Sequence, residues 1–349
     1  VTSTRSERRL EEEPLRVEVL AGEDVAEKSE MRPADLRALF REMSGVRVQT
    51  TSAALGAATV RVQGLRGRYT MVLNDGLPLY GAHASGFGLV QQPPLDLRQV
   101  EVIKGAASAL YGPAALGGVV NLVSRRPPDT SQALLNQTAR AGTDMLGFVA
   151  RPLSPHLGLT MLGGAHYQRS GDADRDGWSE IPGFGRVELR QRLFYEAPTG
   201  KSLMVTAGGF AERRGGGSLS GRDAGGLMAY MDSLDTQHGD VGAVGRWRLS
   251  ECWSVAARAA ANLQTRRRQF AGALEHEQQQ TLFGEFTATG VSARQTMLFG
   301  GAWQQEGYRN RDASRFDETL TTPAVFVQHG FSPVSWLSST LNARCDFSS

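Results

Sequence analysis

From Pro128 onward the chain divides into segments of about ten residues in which apolar and polar side chains alternate, the period of a strand with a different medium on each face. Arg186 to Glu196 is the sharpest case. Val187, Leu189, Leu193 and Tyr195 oppose Arg186, Glu188, Arg190 and Arg192. Between His156 and Gln168, one face carries Leu157, Leu159, Met161, Ala165 and Tyr167. Val241, Ala243, Trp247 and Leu249 stand against Arg246 and Arg248, and Trp253, Val255, Ala257, Ala259 and Leu263 against Arg258 and Asn262. The last segment sets Leu337, Leu341, Ala343, Cys345 and Phe347 against Thr340, Asn342, Arg344 and Asp346. Roughly ten to twelve such strands are predicted, apolar on one side and wet on the other.

The front of the chain follows a different grammar. Leu15 to Leu20 alternates as a strand, and Met31-Arg32-Pro33 is expected to start a helix carrying Leu36, Leu39, Phe40 and Met43 and stopping at Gly45. Val46 to Gln49 and Val60 to Gln63 alternate as strands. Gly64-Leu65-Arg66-Gly67-Arg68 breaks the pattern. Met71 to Leu73 is a short apolar run closed by Asn74-Asp75-Gly76, a sequence that tolerates the positive φ of a tight hairpin. Val100 to Ile103 and Val119 to Val123 add two strands, joined through Lys104-Gly105, Tyr111-Gly112-Pro113 and Gly117-Gly118. Pro127-Pro128 ends the unit, which reads as a small mixed α+β domain.

Composition narrows the function classes. The 349 residues are enough for two domains, and a net charge of +2 gives no reason to expect a nucleic-acid partner. The longest basic run, Arg266-Arg267-Arg268, is read as a loop. Cys252 and Cys345 lack the spacing of a zinc site or disulfide framework. No apolar run reaches the ~20 residues of a membrane helix, which leaves a barrel open. The chain opens at Val1 with no basic-apolar leader, so an export signal is expected to have been removed or not included. Motifs for nucleotide binding, the nucleophile elbow and HExxH are missing, no cofactor is called for, and no catalytic residue is assigned. Asp172, Asp174 and Asp176 start like a calcium loop, but Gly183 stands where the twelfth-position Glu is needed; a solvated acidic loop is expected and no metal site is assigned. Gly215-Gly216-Gly217-Ser218 and 222–226 are read as loops.

Several ordered blocks resemble the plug domain of TonB-dependent outer-membrane receptors. They are Arg61 to Arg68, Leu73-Asn74-Asp75-Gly76, Val100-Glu101-Val102-Ile103-Lys104-Gly105, Ala109-Leu110-Tyr111-Gly112 and Gly117-Gly118-Val119-Val120-Asn121. The resemblance implies a plug domain over 15–127, after a flexible segment 1–14, followed by antiparallel transmembrane β-barrel strands over 128–349. The barrel is expected to be partial, about half of the ~22 strands of a plugged transporter. Implied partners are a TonB-type energy-coupling protein, outer-membrane lipid of a Gram-negative bacterium, and a scarce solute such as a ferric siderophore, another metal chelate or cobalamin. Val1 and Thr2 would belong to the end of the segment that the coupling protein contacts.

On the same basis Arg66, Arg68, Tyr69, Tyr80, His83, Ser85 and Phe87 are candidate ligand-binding residues on plug loops. Arginine and aromatic side chains together suit an anionic, partly aromatic chelate. Pairing of Arg66 or Arg68 with wall carboxylates is the alternative. Arg61, Glu101 and Lys104 are candidates for charge pairing between plug and barrel. Two other readings stay open at this point: a surface ligand-sensing or adhesion protein on the same scaffold, and a soluble β-sandwich, whose strands also alternate.

Overall fold

The computed structural model describes residues 17–41, 43–52, 54–79, 88, 90–104, 110–139, 142–219, 230–270, 272–334 and 336–348. Its first part holds β1 (Val17–Ala21), α1 (Glu23–Met31), α2 (Arg37–Phe40), β2 (Val46–Ser52), β3 (Ala57–Val62), β4 (Thr70–Asn74), β5 (Leu77–Pro78), β6 (Leu97–Lys104) and β7 (Gly118–Ser124). Five of these strands form a mixed sheet in the order β1-β6-β7-β4-β5, and β2 with β3 makes a separate hairpin. β4 and β7 run parallel, the other pairs antiparallel. Every residue of β7 is buried, as its nearly unbroken apolar run requires of a strand covered on both faces. Leu36, Leu39, Phe40 and Met43 form the core with Val62, Val100, Val102 and Val120.

The expected helix from Met31 is displaced. α1 ends at Met31, and the apolar cluster sits on a bent segment whose helical part is only Arg37–Phe40. Pro33 has no N–H to continue a helix through it. Asp35 restarts the turn instead, accepting the backbone N–H of Arg37 at 2.9 Å and its guanidinium at 3.0 and 2.7 Å. The Asn74-Asp75-Gly76 turn is as expected, with φ of +51° at Asp75 and +81° at Gly76.

The second part is a wall of eleven antiparallel strands, each beside its sequence neighbours. They are β8 (Gln132–Thr138), β9 (Gly142–Ser154), β10 (Leu157–Gln168), β11 (Gly183–Glu196), β12 (Lys201–Gly217), β13 (Met231–Arg248), β14 (Trp253–Phe270), β15 (Ala273–Val291), β16 (Gln295–Asn310), β17 (Glu318–Val334) and β18 (Leu337–Asp346). The sheet does not close: β8 and β18 are its two edges. At one end the turns are short, as at 155–156, 197–200 and 292–294; at the other the connections lengthen, as at 169–182 and 311–317. That asymmetry is the one seen in outer-membrane barrels.

Two loop assignments are corrected. Arg266, Arg267 and Arg268 lie inside β14, and Gly215 to Gly217 finish β12. Basic and glycine-rich runs look like loops only while their strand partners are unseen. The two wall faces separate as the alternation requires. Leu135, Met145, Val187, Leu189, Val241, Leu263, Phe286 and Leu341 are exposed on the outer face, while Arg186, Arg192, Phe194, Met204 and Phe326 are buried on the inner one. The plug sits against that inner face. Leu298 and Phe326 pack with Leu73, Ile103, Leu110 and Val119, Leu95 packs with Leu146 and Phe148, and Leu77 with Phe194 and Met204. Among the described residues, no helix is long and apolar enough to cross a membrane.

Candidate functional site

The inner wall near the long connections carries a buried network that grips the plug by its backbone. Arg186 donates to the carbonyls of Val90 at 2.8 Å and Ala34 at 2.5 Å, and pairs with Glu188 at 2.8 Å. Glu212 accepts from Gln91 of the plug at 2.9 Å and from Arg214 of its own strand at 3.1 Å. Arg214 in turn donates to the carbonyl of Leu55 at 3.1 Å and stacks on Phe184 at 4.5 Å. Behind Glu188, His166 bridges it at 2.8 Å and Asp144 at 2.7 Å. A guanidinium has five donors in a fixed fork, so one buried arginine can serve a carboxylate and two carbonyls together. Thus the plug turn near Leu55, the bend at Ala34 and the segment ending at Gln92 are all fastened at the loop end. Contact here is close: a Cβ on Gly216 would lie 2.0 Å from the carbonyl oxygen of Ala54.

A second attachment lies nearer the short turns. Arg192 reaches Asp96 at 2.6 Å, Asp75 at 3.1 Å and the side-chain oxygen of Asn74 at 3.2 Å. Asp75 is itself anchored, accepting both the backbone N–H and the hydroxyl of Ser124 at 2.9 Å. Arg126, beside the Pro127-Pro128 linker, pairs with Glu196 at 3.1 Å. Arg125 clasps Asp129 in two-pronged fashion at 3.0 and 2.9 Å; these hydrogen bonds hold the Asp129 carboxyl below its ordinary range. Across the plug, Arg344 donates to the carbonyl of Leu110 at 2.8 Å.

The sequence candidates are placed as follows. Arg66 is exposed, and Tyr69 is half-buried with its carbonyl accepting the N–H of Gly117 at 2.8 Å. Tyr80, His83, Ser85 and Phe87, the side chain of Arg68, and Val1 and Thr2 lie outside the described residues. Arg61 stands opposite Arg47 in the β2–β3 hairpin. Glu101 accepts from Gln99 at 2.6 Å and Asn121 at 3.3 Å, and Lys104 binds Glu18 and the carbonyl of Ser44, all partners within the plug. Wall arginines that reach the plug include Arg186, Arg192, Arg214 and Arg344. Their signal was the inward parity of charged residues on alternating strands.

The acidic loop after β10 gathers four carboxylates, adding Glu180 to Asp172, Asp174 and Asp176, with ligand atoms within 4.8 Å of one another. They are engaged with the loop's own backbone: Asp172 accepts the N–H groups of Arg175 and Gly177, and Glu180 that of Ala173.

Residues 9–119 match the family model described as the TonB-dependent receptor plug domain. The ferric enterobactin receptor PirA of Pseudomonas aeruginosa is 26% identical over 183 residues, which cover 45% of this chain and 24% of that protein. The vitamin B12 transporter BtuB of Photobacterium profundum is 28% identical over 182 residues, 52% of this chain and 26% of that one. The crystal structure of the ferric-catecholate import receptor Fiu of E. coli K12 superposes with a TM-score of 0.77 at 12% identity, covering 99% of this chain and 61% of Fiu. The matched region is thus about a quarter of each of these two curated relatives, and at 12% identity the structural likeness speaks to fold alone. Residues 9–119 thus match the plug domain of TonB-dependent receptors, and the structure fastens that part of the chain to an unclosed antiparallel wall whose outer face is apolar.

Proposed function

We propose that the chain is the plug and adjoining wall of an outer-membrane transporter that binds a scarce metal chelate at the long-loop end and passes it to the periplasm. The observation that carries this reading is the set of buried hydrogen bonds that join plug and wall beside the apolar clusters. A stopper meant to stay in place is best held by a dry apolar interface; one meant to shift is better held by hydrogen bonds that water can replace. Arg186, Arg192 and Arg214 supply such bonds. The names of the relatives support a ferric siderophore as the solute, with cobalamin the second choice.

Outer membranes hold no ion gradient of their own, so uphill import draws on an inner-membrane motor through a TonB-type protein. An extended segment ahead of β1 would be captured by strand addition. Arg66, Arg68, Tyr69, Tyr80, His83, Ser85 and Phe87 remain the proposed ligand contacts of the plug. Uptake of radiolabelled ferric enterobactin and of labelled cobalamin, in cells expressing the gene with and without the motor, tests the proposal. Motor-dependent accumulation of either supports import; binding at the surface without accumulation would replace import by ligand sensing.

A further inference from the structure

His166 lies on the inner face of β10 with its ring fully enclosed, and each ring nitrogen meets a carboxylate. Nδ1 faces Asp144 of β9 at 2.7 Å, and Nε2 faces Glu188 of β11 at 2.8 Å. A neutral imidazole carries one N–H, so it can donate to one of these groups and must turn a lone pair on the other. The imidazolium donates to both. The strand registers set Asp144 and Arg186 on either side of His166 and place Glu188 beside Gly164. Glu188 leans across the space that Gly164 leaves open, where a Cβ would lie 2.6 Å from its carboxylate oxygen.

The charge on this ring bears on the plug through a single intermediate. Glu188 pairs with Arg186 at 2.8 Å, and Arg186 holds the plug carbonyls of Val90 and Ala34. The charged groups gathered here are Asp144 on β9, Arg186 and Glu188 on β11, and Glu212 and Arg214 on β12. β8 adds the amide of Asn136, which donates to Asp144 at 3.1 Å. The plug adds the amide of Gln91 and the two carbonyls, while Asp35, next to Ala34, is paired with Arg37 at 2.7 Å. Three carboxylates thus meet two guanidinium groups, and a proton on His166 balances the set. At the second attachment, where Arg192 meets Asn74, Asp75 and Asp96, those partners include no histidine.

We propose that His166 is a positioning residue whose proton sets how firmly the wall holds the plug at the long-loop end. With the proton in place, both carboxylates are bridged and Glu188 keeps Arg186 aimed at the plug backbone. When the proton leaves, Asp144 keeps the remaining N–H together with the amide of Asn136, and a ring lone pair faces Glu188. In a buried site that contact is repulsive. Glu188 turns away and draws Arg186 off the carbonyls of Val90 and Ala34. The outer attachment therefore loosens as pH rises, while the attachment at Arg192 does not. The inference needs only the contact of plug with wall and is independent of what solute the chain carries.

The test follows two kinds of hydrogen exchange by mass spectrometry on the full chain in phosphatidylcholine nanodiscs, between about pH 5 and about 9, a range that brackets the ordinary titration of histidine. Exchange at the C2 position of His166 reports its proton directly. Amide exchange at 34–37 and 90–92, corrected for intrinsic rates, reports the grip. In the wild type these amides should exchange about tenfold faster once the proton is lost, the worth of one charge-assisted hydrogen bond, with the midpoint set by the C2 curve. Residues 70–78 and 94–97 should show no such step. H166Q, which offers an N–H to one carboxylate only, should exchange at the faster rate throughout. E188Q should lose the step, because its amide can donate to a neutral ring. H156Q, at an exposed short turn, should behave as the wild type. A wild-type profile that stays flat while His166 titrates, or a step that survives in E188Q, would overturn the proposal even if H166Q does not fold. Either result would leave the import reading untouched, since that rests on uptake.

Discussion

The guanidinium of Arg192, on the inner face of β11, lies 2.6 Å from the carboxylate of Asp96 in the plug. With Asp75 at 3.1 Å on its other side, one wall cation holds two plug anions, all three side chains at most 8% exposed. Buried charges held this way are costly to uncouple. Replacing Arg192 by Met would leave two carboxylates facing each other without a counter-charge, a loss of about 3–5 kcal/mol. Hydrogen exchange should then accelerate at residues 70–78 and 94–97. The triple change R192M/D75N/D96N, which removes the orphaned charges, should recover most of the protection. If R192M exchanges as the wild type does, Arg192 is not what fixes the plug at this level.

Apolar packing makes its own contribution at the opposite side of the plug. Leu298 of β16 is fully buried in the cluster with Ile103, Leu110 and Phe326. Truncation to Ala should cost about 2–5 kcal/mol through lost transfer energy and the remaining cavity. Leu282, on the neighbouring strand, faces outward and is 41% exposed. Leu282→Ala in detergent should cost well under half as much as Leu298→Ala. Thermal melting followed by intrinsic fluorescence would compare the two.

Asp35 gives a pH dependence with a defined sign. Burial pushes its carboxyl upward, but the hydrogen bonds and charge of Arg37, with Arg32 nearby, outweigh this and hold it below its ordinary value. A group depressed in the folded state contributes stability that is complete above its unfolded pKa, near ~3.9, and fades as pH falls through the lower folded value. Asp35→Asn should therefore loosen the amides of 35–41 at pH 7. In strong acid, where the wild-type carboxylate is itself protonated, variant and wild type should converge. Hydrogen exchange at the two pH values, corrected for intrinsic rates, makes the comparison, and a gap that widens in acid would contradict the assignment.

The wall was readable from sequence because period-two alternation is a local property. Arg186 to Glu196 announces both its faces, and the structure places Val187 outside and Arg186 inside as the pattern requires. The plug strands and the Asp75-Gly76 turn were readable for the same reason. What could not be read was the identity of cross-chain partners. Arg192 meets residues 96 to 118 positions away, and nothing local distinguishes it from Arg190, which pairs instead with Asp240 on β13. For Glu101 and Lys104 likewise, nothing local in the sequence points to Asn121 and Glu18, the residues of the same domain that they meet. The bend at Pro33 shifted a helix because a single ring nitrogen outweighed favourable apolar spacing.

β1 borders its sheet, with β6 alone beside it, and its five residues pair from Val17 opposite Ile103 to Ala21 opposite Gln99. A sideways load applied at Val17 meets these rungs in succession, so the force required is that of one rung and not the sum of all five. The plug thereby yields stepwise to traction at β1, while the interior strand β7 is shielded until its neighbours have gone.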